Sequence, residues 1–185
     1  MKFFKISCVL IILYFFSINS STMAYGGGSG TCDITGVPTP SMPQRTIHEG
    51  GASRFSISFN PSKIVPGQSH QVTLSRIAGS GGFRGLLMYA ENEGGDRVGT
   101  FDVANTPSVQ QLDCSAIPNS TITHNNSSNF TSTFTINWQA PTNVFGNITF
   151  SSIVYETSPT LTFNIPTPIV VEPEDILFTN GFENL

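Results

Sequence analysis

Apolar and polar residues alternate with a period of two through much of this chain. In "RFSISF" (54–59), Phe55, Ile57 and Phe59 alternate with Arg54, Ser56 and Ser58. Successive side chains of a strand point to opposite faces, so this run predicts a strand with one buried face. "VPGQSHQVTLSRI" places a turn at Pro66-Gly67 ahead of a second strand with Val72 and Leu74 inward and Ile77 as a further candidate. "FRGLLMYAE" is almost continuously apolar, which predicts a strand covered on both sides. "RVGTFDV" follows the turn "ENEGGD", and that spacing predicts a hairpin.

The second half continues in the same manner. "STFTINWQAP" alternates Phe134, Ile136 and Trp138 and stops at Pro141, and "LTFNIP" alternates Leu161, Phe163 and Ile165. In "GNITFSSIVYE" the apolar positions Ile148, Phe150, Ile153 and Tyr155 change face after Phe150, as a bulge would make them. No stretch of useful length holds a helical period. Short runs divided by Gly, Pro, Asn and Ser turns predict an all-β fold, an antiparallel β-sandwich of about seven or eight strands.

The two ends of the chain differ from this pattern. "MKFFKISCVLIILYFFSINSSTMA" has two lysines, an apolar run from Ile6 to Ile18, and small or polar residues up to Ala24. It predicts a signal peptide over 1–24, cleaved after Ala24. The apolar run is shorter than the roughly 20 residues of a membrane span, so a secreted, extracellular protein without stable membrane insertion is expected. Residues 25–165 form one predicted domain, and 166–185, opening "PTPIVVEPED", form an extended Pro-rich tail.

Beyond Ala24 six basic residues, Arg45, Arg54, Lys63, Arg76, Arg84 and Arg97, stand against twelve acidic ones. They form no cluster in the sequence, and phosphate neutralisation needs one, so nucleic acid is not an expected partner. Two cysteines remain, Cys32 and Cys114. In an exported protein such a pair is expected to form a disulfide, the other reading being two buried free thiols.

Signals for chemistry are weak. "GQSHQ" lacks the second glycine of a nucleophile elbow, which leaves Ser69 and His70 as strand-entry polarity. "GSGGFRG" has neither the Lys-Ser/Thr nor the helix of a phosphate loop. His48, His70 and His124 are far apart and belong to no metal-ligand spacing, so no metal and no cofactor are expected. Glu91, Glu93 and Asp96 in "ENEGGD" read as a solvated hairpin tip and not as a calcium loop. Trp138 is expected in the core. Asn119, Asn125, Asn126, Asn129 and Asn147 each open an Asn-x-Ser/Thr sequon, which in a eukaryotic host would make 119–129 a glycan-bearing surface loop and in a bacterial host only a polar one.

Taken in order, "VPGQSHQVTL", "GFRGLLMYAE", "VGTF", the cysteine of "DCS", "STITHNN", "INWQAP" and "GNITFSSIVYE" resemble the reeler (reelin) domain, from about Cys32 to Tyr155. The resemblance implies an immunoglobulin-like β-sandwich in which Cys32 is bridged to Cys114. It also implies that Thr123-His124 is a structural signature, with His124 bonding a loop to a strand edge. The pattern departs in "SMPQRTIHEG", which spreads Met42, Pro43 and His48 apart. Family members include matrix proteins such as reelin and spondins, small insect defence proteins, and ferric-chelate reductases whose haem-binding and cytochrome domains follow the module. The expectation is a protein that is no enzyme and binds an extracellular protein or polysaccharide in defence or adhesion. Its candidate binding residues are Arg84, Glu91, Glu93, Asp96, Thr123 and His124. The alternative is a metal-binding or redox accessory protein built on His48 and His124.

Overall fold

The structure is a computed structural model that describes residues 27–36, 45–112, 114, 117–125, 130–144, 146–157 and 161–174. The predicted signal peptide, the sequon residues Asn126 and Asn129, and residues 175–185 lie outside these. Eleven strands occur among the described residues: β1 (Arg45–Glu49), β2 (Phe55–Asn60), β3 (Ser69–Arg76), β4 (Gly85–Glu91), β5 (Thr100–Asp102), β6 (Val109–Leu112), β7 (Thr121–His124), β8 (Thr133–Gln139), β9 (Ile148–Thr157), β10 (Leu161–Ile165) and β11 (Ile169–Val171). Two short 3-10 turns, Ile34–Gly36 and Gly50–Ala52, complete the regular structure among the described residues.

Two sheets form the expected sandwich. One has the order β1-β10-β9-β4-β7-β6, with β11 also on β9, and the other has the order β2-β3-β8-β5. The strands with clean alternation are those with one wet face. In β8, Phe134, Ile136 and Trp138 are buried while Thr133, Thr135, Asn137 and Gln139 are exposed. They meet Leu86, Met88 and Ala90 of β4 and Ile148, Phe150 and Val154 of β9 in one core. Each large side chain so buried contributes roughly 1.5–3 kcal/mol. Aromatic edges lock that core, with Trp138 against Phe150 at 5.0 Å between ring centres and Phe55 against Phe83 at 5.5 Å.

β4 is covered on both sides, as its apolar run requires. Its other face, Leu87 and Tyr89, packs with Ile153, Ile34, Leu112, Phe163 and Ile165 in a second cluster. This outer layer explains the change of face in β9. The pairing of β9 with β4 runs without a break from Gly85↔Tyr155 to Glu91↔Thr149, so there is no bulge between them. Ile148, Phe150 and Val154 face the main core and Ile153 faces the outer layer.

Other expectations are corrected. The strands number more than seven or eight because β1, β6 and β11 are short and carry little alternation. The sandwich is not wholly antiparallel, since β1 runs parallel to β10. The "ENEGGD" turn reverses the chain with the Glu91↔Arg97 bridge and the Val98 N–H on Ala90 O. The chain then crosses to the other sheet, where β5 pairs with β8 and not with β4. The stretch expected as a surface loop from Asn119 begins with a buried strand, for Ser120 and all of β7 are buried. Ile77 is largely exposed. Within 166–174, β11 lies along β9, and Ile64 exchanges backbone hydrogen bonds with Glu172 and Glu174.

Candidate functional site

Thr123 and His124 sit on β7, beside β4. The Thr123 hydroxyl donates to Leu86 O at 2.9 Å and accepts the Ser29 N–H at 2.9 Å. His124, only 7% exposed, holds Nδ1 within 3.2 Å of Leu86 O and 3.3 Å of Leu86 N. A Cβ on Gly85 would lie 3.0 Å from the imidazole Cε1. The "FRG" and "TH" motifs are therefore two halves of one contact, in which a glycine makes room for a ring that is bonded to the next residue's backbone. "VGTF" and "INWQAP" meet in the same way. Gly99 has φ +65°, and a Cβ there would fall 2.3 Å from the Trp138 ring, whose Nε1 donates to Val98 O. His124 thus bonds strand to strand within the sheet.

A second group ties the amino-terminal segment across the outer face of the first sheet. Cys32 is bridged to Cys114, with Cα atoms 5.5 Å apart. Arg97 is paired with Glu91, donates to Cys32 O at 2.7 Å, and lays its guanidinium 3.4 Å over the Tyr89 ring. Tyr89 in turn donates to Asp33 Oδ1 at 3.3 Å. The backbone N–H of Thr35 on that carboxylate holds the Asp33 carboxyl below its usual range, while burial, helped by the charges of Asp33 and Glu91, pushes the Tyr89 phenol up. Glu91 is in this way turned toward Arg97 and the disulfide.

The third group bridges the two sheets. Arg76, at the end of β3, pairs with Glu156 of β9, and the two side chains are 5% and 6% exposed. Asn164 Nδ2 donates to the other Glu156 oxygen at 2.8 Å while its Oδ1 accepts the Arg54 N–H. The Arg76 guanidinium also donates to the carbonyls of Ala78, Gly81 and Gly82. Carbonyl oxygens of the "GSGG" loop are thus turned onto a cation, the reverse of the N–H groups a phosphate cradle needs. Sequence reasoning missed this group. The available signal was Glu156 itself, a charge on the inward-facing register of an apolar strand.

The remaining candidates are at the surface. Asn92 Oδ1 accepts the N–H groups of Gly94 and Asp96, both at 2.9 Å, which fixes the tip between β4 and β5. The Glu93 carboxylate accepts the Asn147 N–H at 3.1 Å across a neighbouring turn. Glu93 and Asp96 are both exposed there. Arg84 is exposed as well, but it precedes β4 whereas the tip follows it, so the length of a strand, roughly 23 Å, separates them. The structure places Glu93 and Asp96 on one tip, with Glu91 at its base turned to Arg97, and Thr123 and His124 beside the start of β4, which Arg84 precedes.

The histidines are not brought together. His48 on β1 and His124 on β7 lie four strand steps apart in one sheet, roughly 19 Å. His70, on the other sheet, holds Val65 backbone through Nε2 and stacks on Phe59 at 5.0 Å. Among the described residues no group of three or more His, Cys, Asp or Glu is arranged to hold a metal ion. No helix among them is long and apolar enough to cross a membrane.

Known proteins resemble this chain in sequence and in fold. The chain is 31% identical to ferric-chelate reductase 1 of Bos taurus over 179 residues, 95% of this chain and 28% of that protein. It is 26% identical to ferric-chelate reductase 1 of Mus musculus over 160 residues, 80% of this chain and 26% of that protein. The chain thus spans about a quarter of the length of these relatives. Among solved structures, the Reelin-N domain of F-spondin superimposes with a TM-score of 0.56 at 24% identity, covering 71% of this chain and 94% of that one. The human F-spondin reeler domain gives 0.55 at 22% identity, covering 72% and 96%. A sequence model of the Reeler domain matches residues 37–175, well over half of the chain. With its motif residues meeting in space and its sandwich matched by reeler structures, the chain belongs to the Reeler domain family.

Proposed function

We propose that this protein is a secreted recognition module without catalysis of its own, binding an extracellular protein or polysaccharide in defence or adhesion. One observation carries the reading: the motif residues are spent on the scaffold. His124 and Thr123 bond Leu86, Glu91 bonds Arg97, and Gly85 and Gly99 make room for rings. Recognition then falls to the loops that the sandwich holds rigid, as in many scaffolds. The braced tip Asn92–Asp96, with the exposed carboxylates of Glu93 and Asp96, is the surface we assign to it. Its charge favours a ligand rich in hydroxyls or basic groups.

The test is binding of residues 25–185 to a panel of microbial polysaccharides, lipopolysaccharide, matrix glycans and matrix proteins, with a salt titration. Saturable binding at physiological salt is the expected result. Turnover of a substrate by the purified protein, lost on His124→Ala, would overturn the non-enzymatic reading. Stoichiometric metal lost on His48→Ala or His124→Ala would favour the accessory role in its place.

A further inference from the structure

An Asn-x-Ser/Thr acceptor is modified when its side-chain nitrogen attacks the anomeric carbon of a polyprenyl-pyrophosphate-linked oligosaccharide. A nitrogen–carbon bond forms, the carbon–oxygen bond to the pyrophosphate breaks, the lipid pyrophosphate leaves with the electron pair, and the nitrogen gives up one proton to a base of the transferase. In the finished fold the sugar must also leave the surface without displacing protein atoms. The described acceptors differ in how well they meet this condition.

Asn125 spends its side chain on the fold. Its Nδ2 donates to Pro107 O, its Oδ1 is buried, and its backbone N–H donates to Ser108 O at 3.0 Å. Asn119 holds φ +66° with Ser120 and Thr121 fully buried behind it, and its carbonyl accepts the Phe101 N–H. Asn147 is different. It is half-exposed in the turn that leads into β9, behind Gly146 at φ +72°. Glu93 fixes it through the backbone N–H, so its side-chain amide is without a partner among the described residues. Thr149, the hydroxyl residue of the sequon, follows at the required spacing on β9.

We propose that Asn147 accepts an N-linked glycan when the protein is exported through a eukaryotic secretory pathway and that Asn125 does not. The sugar stands beside Glu93, flanking the tip assigned to recognition. The inference rests on export through a eukaryotic secretory pathway, and not on the identity or existence of a ligand.

The test uses the full chain expressed in an animal cell line, with peptide mapping after peptide-N-glycosidase, which leaves Asp at each occupied site. Asp at position 147 and unmodified Asn at 125 are expected. Asn147→Gln and, separately, Thr149→Val are each expected to remove one glycan's mass from the secreted protein. Thr149→Val keeps Asn147 and a β-branched strand residue, so it separates sequon loss from misfolding. Secreted protein with unmodified Asn147 overturns the proposal alone. Protein retained in the cell without glycan overturns it together with export, and full occupancy at Asn125 overturns the selectivity.

Discussion

Removing the charge of Glu156 tests how much the link between the sheets depends on a buried ion pair. Glu156→Gln keeps the shape of the side chain and leaves the Arg76 guanidinium, 5% exposed, without its counter-charge. Breaking a buried pair from one side costs about 3–5 kcal/mol because an uncompensated charge stays buried. Arg76 retains the carbonyls of Ala78, Gly81 and Gly82 and the face of Phe55 at 4.6 Å, which places the expected loss at the lower end, about 3 kcal/mol. For a domain of this size that lowers the Tm by about 9 °C. Adding Arg76→Met removes the stranded charge, and the double variant is expected to be more stable than the sum of the single losses by over about 1 kcal/mol. Urea and thermal unfolding of the four proteins give the cycle. A loss under about 1 kcal/mol for Glu156→Gln, or strict additivity, would refute the reasoning.

Further predictions follow from the other contacts. Gly99→Ala puts a methyl 2.3 Å from the Trp138 ring at positive φ, and thermal unfolding is expected to show a loss of about 3 kcal/mol, with the tryptophan fluorescence shifted. Replacing Cys32 and Cys114 by Ala opens a link 82 residues apart and is expected to cost about 2–5 kcal/mol, with hydrogen exchange of residues 27–36 accelerated first. Because burial raises the folded Tyr89 phenol above its ordinary 10.0, stability is whole below that pH and falls as pH climbs through the folded value, so alkaline unfolding should come at lower pH in wild type than in Tyr89→Phe controls corrected for packing. The Asp33 carboxyl is lowered, so its contribution is present above its ordinary 3.8 and lost as pH falls through the folded value; Asp33→Asn should flatten the acid limb of stability against pH.

What the sequence makes legible follows from solvent. β2, β3 and β8 each have one wet face, so their alternation shows directly, and β4 shows as an unbroken apolar run because both its faces are dry. β7 gives no such signal. Its four residues are all buried, yet two are threonines and one is histidine; Thr123 and His124 find their hydrogen bonds on β4 and the Ser29 segment, which lie elsewhere in the chain. β9 misleads for the opposite reason, since an outer layer invisible to local pattern buries Ile153. The site follows the same division. Glu93 and Asp96 read as a solvated tip and are one, whereas the turn of Glu91 toward Arg97 depends on a disulfide and a ring that lie elsewhere in the chain. Arg76 and Glu156, 80 residues apart, leave no local trace of their pairing.

The central claim is that a rigid tip recognises while the motif residues hold the fold, and a binding comparison of wild type with Glu93→Gln/Asp96→Asn tests it most directly. Both proteins would be titrated against the same glycan and matrix-protein panel at physiological salt, with unfolding curves in parallel. The account predicts saturable binding of at least one component by wild type, weakened about tenfold or more in the double variant, about 1.4 kcal/mol, with stability unchanged. Equal binding by the two proteins would contradict it.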